Sequence, residues 1–263
     1  MSENLTHEYY LELKSQKLTR AKIAEIVGLT DNQLKRLIAK NGWGSRKTYV
    51  VNHNCFSVPT AESAYWAGFL AADGNVDEEC RVRLMLQASD LRHLEKFQAF
   101  TCSNHKISVN TTKYNRASLE FKSEQMIKDL EYFWNITPRK SKTLQAPNVT
   151  DPELLNHFLR GYFDGDGTIG ETFSNKNSIT ASVFVGFVSG SEAMTLWLQD
   201  MISERGATYS TSYFETKSQI KLNTNQGEIL LNKLYTNSTE LTRLDRKYDL
   251  YVKLYVNRDR MTR

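Results

Sequence analysis

Along residues 58 to 255, apolar positions switch between helical and strand periods, and they do so twice in the same order. YWAGFLAADG (65–74) and FLRGYFDGDG (158–167) are apolar stretches of helical length. Each follows a helix-start signal, Pro59 and Thr60 before the first and Asp151, Pro152 and Glu153 before the second. RVRLMLQ (81–87) then alternates as a strand and SDLRHLEKFQAF (89–100) reads as an amphipathic helix; SITASVFVGFVS (178–189) and SEAMTLWLQDMI (191–202) repeat that succession. RASLEFKSEQMIKDLEYF (116–133) is likewise matched by KSQIKLNTNQGEILLNKLY (217–235), a strand followed by a helix. Each copy closes on a basic stretch, ITPRKSKTL and LTRLDRKYDL. The pattern predicts an α+β chain with one helix-strand-strand-helix-strand-strand-helix unit used twice, over 59–150 and 151–263. The offset from Asp73 to Asp166 is 93 residues. Such a duplication creates a pseudo-two-fold axis, which suits a pseudo-symmetric target such as duplex DNA.

The N-terminal segment has a different pattern. In LTRAKIAEIVGLTDNQLKRLIAK (18–40), Ile23, Ala24, Ile26 and Val27 recur at helical spacing, Gly28 breaks the run and Thr30 can cap a second helix. With Leu34, Leu37 and Ile38 turned inward, Asn32, Gln33, Lys35 and Arg36 are left exposed. These are groups that read base edges or hold phosphates. The stretch resembles a helix-turn-helix over residues 1–45, followed by a glycine-loosened linker over 46–58; a three-helix adaptor has the same periodicity.

Composition is that of an ordinary globular protein, 40% apolar and 24% charged. The net charge of +4 is unevenly spread: residues 1–50 carry nine Lys/Arg against five Asp/Glu, and the remainder is balanced. A basic excess at the N-terminus fits a polyanion partner, or simply a solvated face. No signal-peptide pattern or membrane-length apolar run is present, so an intracellular, cytoplasmic location without membrane association is expected. The three cysteines, Cys55, Cys80 and Cys102, lack metal-ligand spacing and read as reduced, packed thiols.

The paired decamers break local rules. Gly161 and Gly165 each cost about 1 kcal/mol inside a helix, and Asp164 and Asp166 lie at the negative end of the macrodipole. Small residues fall four apart in both copies, Gly68 with Ala72 and Gly161 with Gly165, so two helix backbones can approach closely. Their C-terminal ends then converge and bring Asp73 and Asp166 together, with Gly74 and Gly167 expected to end each helix in a left-handed conformation. Two such carboxylates repel, which raises one pKa or binds a cation. Few, hard oxygen ligands open to substrate suit Mg²⁺ (or another divalent cation such as Mn²⁺) and metal-assisted phosphodiester hydrolysis. A calcium loop counted from Asp164 fails, because Ile169 falls where glycine is needed and Asn175 where Glu belongs. A plain Asp-Gly turn explains one copy far better than two in register.

WAGFLAADG (66–74) and LRGYFDGDG (159–167) resemble the two signature helices of a monomeric LAGLIDADG homing endonuclease, and the resemblance covers roughly residues 58 to 255. It implies that Asp73 and Asp166 ligate divalent metal at the two scissile phosphates. It also implies a basic residue near each metal, Lys140 in TPRKSKTL and Lys247 in LDRKYDL, with Arg139, Lys142 and Arg246 as competitors. A polar residue at a strand end that holds the nucleophilic water corresponds to Gln87, with the shorter Ser189 opposite. Ala71 departs from the motif, where an acid is common and where Asp164 stands in the second copy.

In this family a four-stranded saddle lies in the major groove. Outward strand positions here are Arg81, Arg83, Lys217 and Gln219, with Val82, Leu84 and Leu86 facing the helices; Lys113, Asn115, Arg116, Lys176 and Asn177 extend the reach through loops. The resemblance implies a monomeric enzyme that makes double-strand breaks in DNA at a long, rare site, its N-terminal segment extending the footprint. A catalytically inactive DNA-binding regulator and an intron RNA maturase are alternatives on the same fold.

Overall fold

The computed structural model describes residues 5–43, 49–112, 114–173 and 181–257. The chain divides into two compact units, Met1–Thr48 and Tyr49–Arg263. In the first, α1 (His7–Ser15), α2 (Arg20–Ile26) and α3 (Asp31–Asn41) enclose Tyr10, Leu13, Ile23, Ala24 and Leu34. The α2–α3 turn passes through Gly28 at φ 67°, a left-handed conformation that favours glycine. Thr30 caps α3 reciprocally with Gln33, whose side-chain oxygen accepts from the Thr30 amide and hydroxyl. The 18–40 pattern predicts two helices; α1 is additional, and it buries only Tyr10 and Leu13, too few for a periodic signal.

The second unit holds the duplicated pattern. Its first copy runs α4 (Ala61–Asp73), β1 (Gly74–Val76), β2 (Arg81–Gln87), α5 (Leu91–Phe100), β3 (Ser108–Asn110), β4 (Arg116–Lys122) and α6 (Glu124–Trp134). The second runs α7 (Pro152–Asp166), β5 (Thr168–Phe173), β6 (Ala181–Ser189), α8 (Glu192–Glu204), β7 (Ser210–Tyr213), β8 (Ser218–Leu222) and α9 (Thr224–Tyr235), followed by α10 (Asp245–Tyr251). Each copy makes an antiparallel sheet of the same topology, β1-β2-β4-β3 and β5-β6-β8-β7. Val82, Leu84 and Leu86 are buried from β2, as alternation predicts. Lys217 is placed by the sequence pattern on a strand but lies just before β8, in the β7–β8 turn, where its carbonyl accepts from the Phe214 amide.

α4 and α7 pack against each other at the centre of the unit, which is why α4 is buried from Ser63 to Ala71. The glycines explain the approach. A Cβ on Gly68 would lie 2.0 Å from the Phe158 carbonyl oxygen, and one on Gly161 would lie 1.9 Å from that of Tyr65. The contacts are reciprocal, as a two-fold relation between the copies requires. Nearer the C-termini, a Cβ on Gly165 would fall 2.4 Å from that of Ala72.

One expectation is overturned. Gly74 (φ −78°, ψ 153°) and Gly167 (φ −74°, ψ 161°) are extended, not left-handed. Glycine is required there for space, because a Cβ would come within 2.6 Å of the Leu70 carbonyl oxygen and 2.4 Å of that of Phe163. The chain leaves each helix directly into the first strand of its sheet. No described helix is long and apolar enough to cross a membrane.

Candidate active site

Asp73 and Asp166 end the paired helices, next to one another and open to solvent. The Asp73 amide lies only 3.5 Å from where a Gly165 Cβ would stand. Surrounding protein withholds water from the Asp166 carboxyl and, with the Asp73 charge, pushes its pKa up to about 6, against the pull of Lys140 and Lys247. Desolvation raises Asp73 as well, while the two lysines draw it down.

The two basic tails enter differently. Arg139 adopts a left-handed φ of 61°. Its side chain points outward to Glu78, and the following short 3₁₀ turn brings Lys140 inward. Lys140 is 7% exposed, with Nζ 3.5 Å from the Ala72 carbonyl oxygen, and burial lowers its pKa against the attraction of Asp166 and Asp73. Lys142 stays exposed. A cavity of ≈ 220 Å³ opens here between Ala72, Lys140, Tyr162, Asp166, Ser189 and Thr216. In the second tail Arg246 turns away to a bidentate pair with Asp90, and Lys247 is buried. Lys247 donates to the carbonyls of Phe163 (2.7 Å), Gly165 (3.2 Å) and Gly167. Its three protons are thus directed at main-chain carbonyls at the end of α7, that of Phe163 also accepting the Gly167 amide. Burial lowers its pKa to about 8.

A buried network that the residue pattern does not reveal supports this second tail. Asp164 accepts from the Tyr65 hydroxyl (2.9 Å), the Tyr235 hydroxyl (2.7 Å) and the Leu244 amide (2.7 Å), the last fixing the start of α10 three residues before Lys247. Fully buried Arg160 donates to the carbonyls of Thr242 and Leu234. In the first copy the same two positions, by the 93-residue offset, are Ala67 and Ala71, and the tail is held by other means. There Ser191 donates to the Leu144 carbonyl at 2.6 Å, and Gly190 leaves room for the Ser141 carbonyl. The signal in the sequence is an arginine and an aspartate four apart within the apolar stretch FLRGYFDG of the helix. Asp90 is likewise missed: it sits on the turn after β2, its charge acts on Asp73, and its partner Arg246 is 156 residues away.

The remaining candidates are scattered. Gln87 ends β2 exposed, whereas Ser189 ends β6 buried, its hydroxyl donating to the Ser191 carbonyl and accepting the Ser191 amide. Arg81 and Arg83 project from the outer face of β2 as expected, yet neither is an unpaired cation. Arg81 bonds Asp77 and Glu79, each at 2.8 Å, and Arg83 pairs with Glu120 across the sheet. Asn115 (φ 47°) and Arg116 are exposed at the start of β4, and Gln219 lies on the outer face of β8. In the N-terminal unit Asn32, Lys35 and Arg36 are exposed on α3, while the Gln33 oxygen is used in the cap. Lys113, Lys176 and Asn177 lie outside the described residues.

The donor set fits a hard divalent cation. It consists of carboxylate oxygens at two adjacent helix ends, the nearby main-chain carbonyls being engaged by Lys140 and Lys247, and among the described residues no group of three or more His, Cys, Asp or Glu forms a closed metal cage.

No family model and no curated protein matches the chain. Among solved structures it is similar to the meganuclease I-SmaMI bound to uncleaveable DNA, at 12% identity over 76% of this chain and 91% of that one (TM-score 0.54). It is similar also to the LAGLIDADG homing endonuclease I-LtrWI bound to target DNA, at 9% identity over 76% and 91% (TM-score 0.55). A third is the LAGLIDADG meganuclease I-CpaMI bound to uncleaved DNA, at 9% over 75% and 92% (TM-score 0.53). The second unit of this chain therefore has the LAGLIDADG fold, at identities that establish the architecture and leave the chemistry to be argued from its residues.

Proposed function

We propose that the protein is a metal-dependent DNA endonuclease of the LAGLIDADG homing type, acting as a monomer on a long duplex site. The observation that carries the reading is the meeting of Asp73 and Asp166 at the ends of two glycine-apposed helices, with a buried lysine beside each helix end. The fold adds support, since I-SmaMI and I-LtrWI share it and were crystallised with DNA.

Asp73 and Asp166 would hold the divalent cation, which supplies activation of water and neutralisation of charge on the leaving oxygen. Lys140, with a single long bond to a carbonyl, keeps protons for a phosphate oxygen. Lys247 spends its protons on the end of α7 and so sets the position of Asp166. Gln87, exposed at the end of β2, is left available to orient water, whereas the Ser189 hydroxyl is engaged in its own turn. The exposed polar face of α3 would extend the contact with the duplex.

The test is incubation of the intact protein with a randomised duplex library and Mg²⁺, followed by sequencing of the ends. Cleavage at a defined long site by the wild type, abolished in Asp166→Asn with duplex binding retained, is the expected result. Binding without cleavage by soluble wild type would point to a DNA-binding regulator, and tighter binding to structured intron RNA than to duplex would point to a maturase.

A further inference from the structure

The outer faces of the two sheets carry different cross-strand pairs. On the first, Arg83 of β2 stands directly opposite Glu120 of β4. The guanidinium gives its Nε and Nη2 to one oxygen of that carboxylate, so three of its five N–H groups and the second oxygen are not spent on the pair. The side chains are 40% and 38% exposed. On the second sheet, Val188 of β6 stands directly opposite Gln219 of β8, both half-buried. Phe184 lies two pairs along the same face, over Gly170, where a Cβ would come 2.5 Å from its ring. Lys221 covers that ring at 4.4 Å and is the only charged side chain among the described outward positions of β6 and β8.

We infer that the Arg83–Glu120 pair reads a G·C base pair and the Val188–Gln219 pair an A·T base pair, so that the target is G·C-biased in one half and A·T-biased in the other. The inference rests on the duplex-binding reading above. Each pair sets two side chains about 5 Å apart across adjacent strands, which spans the two bases of one pair. In the major groove a guanidinium matches the two acceptors of guanine, and a carboxylate accepts from the cytosine amine. A carboxamide matches adenine, and an apolar side chain packs on the thymine methyl. The chemistry of each cross-strand pair is that of one complementary base pair. Glu120 also holds Arg83 in place before binding, which reduces the ordering cost of a bidentate contact.

Sites bound by the intact protein would be selected from a randomised duplex library, in parallel for the wild type, Arg83→Ala, Glu120→Gln and Gln219→Ala, with thermal melts to confirm folding. The wild type is expected to select G·C in one half-site and A·T in the other. Arg83→Ala should lose about tenfold or more of the guanine preference at one position only, Glu120→Gln should weaken cytosine discrimination at that same pair, and Gln219→Ala should relax adenine in the opposite half. Half-sites of equal composition, or folded variants that leave the selected sequence unchanged, would overturn this inference while the endonuclease reading stands. Failure of the wild type to enrich any duplex would overturn both.

Discussion

Asp166 holds its proton to about pH 6, because the surrounding protein limits its hydration and Asp73 lies beside it. An unfolded aspartate titrates near ~3.9. The folded chain therefore binds this proton more tightly, and stability falls as pH rises from about 4 through 6. The side chain is open to solvent, so the loss is discounted to under about 1 kcal/mol. Without divalent cation, Asp166→Asn is expected to raise Tm by about 1–3 °C at pH 7 and to leave it unchanged at pH 4, in melts followed by circular dichroism. Mg²⁺ should then raise the Tm of the wild type and not that of the variant. An identical effect of the substitution at both pH values would show that Asp166 feels no such repulsion.

Between elements, the α4–α7 contact is set by backbone against backbone. A methyl at 161 would meet the carbonyl of Tyr65, which cannot rotate aside as a side chain can. Gly161→Ala is expected to cost about 3 kcal/mol, at the upper end for overpacking, as a fall in the urea midpoint without change in slope. Gly68→Ala presses on the same contact from the other helix. Once the helices have parted for one methyl the second costs less, so the double variant should lose clearly less than the sum of the two. Strict additivity would mean that each methyl is accommodated by local shifts. The contact also matters for chemistry, since helices held apart would separate Asp73 from Asp166.

At the scale of the whole molecule, the N-terminal unit has a core of its own, built from Tyr10, Leu13, Ile23, Ala24 and Leu34, and the larger unit has a separate core. A chain of residues 49–263 should therefore melt within about 2 °C of the corresponding transition in the full chain. The first fifty residues hold the net basic excess. Removing residues 1–48 is expected to weaken duplex binding and to flatten its dependence on salt by about one unit of slope for each phosphate that is no longer neutralised. An unchanged slope would show that this unit touches no phosphate, and failure of the fragment to fold would show that the cores are interdependent.

The sequence by itself determined the succession of elements, the duplication and the close approach of α4 and α7. Each is written in local, repeated spacing: period two in RVRLMLQ, helical period in the two decamers, and small residues four apart where no Cβ fits. That each basic tail would bring a cation near the acids came from the resemblance of the tails to those of the family, which left Lys140 and Lys247 in competition with Arg139, Lys142 and Arg246; burial of the two lysines appears only in the structure. Only the tertiary structure decided that Gly74 and Gly167 are extended, because the direction in which each helix hands over to its sheet sets their φ. It alone showed that Arg83 is paired with Glu120, that Asp90 holds Arg246, and that Asp164 anchors the chain 80 residues later at Leu244. A charge in a sequence carries its sign but not its partner. Which opposite charge or hydroxyl it meets depends on strand register and on how two copies of the unit are closed around one axis, and neither is encoded in local periodicity.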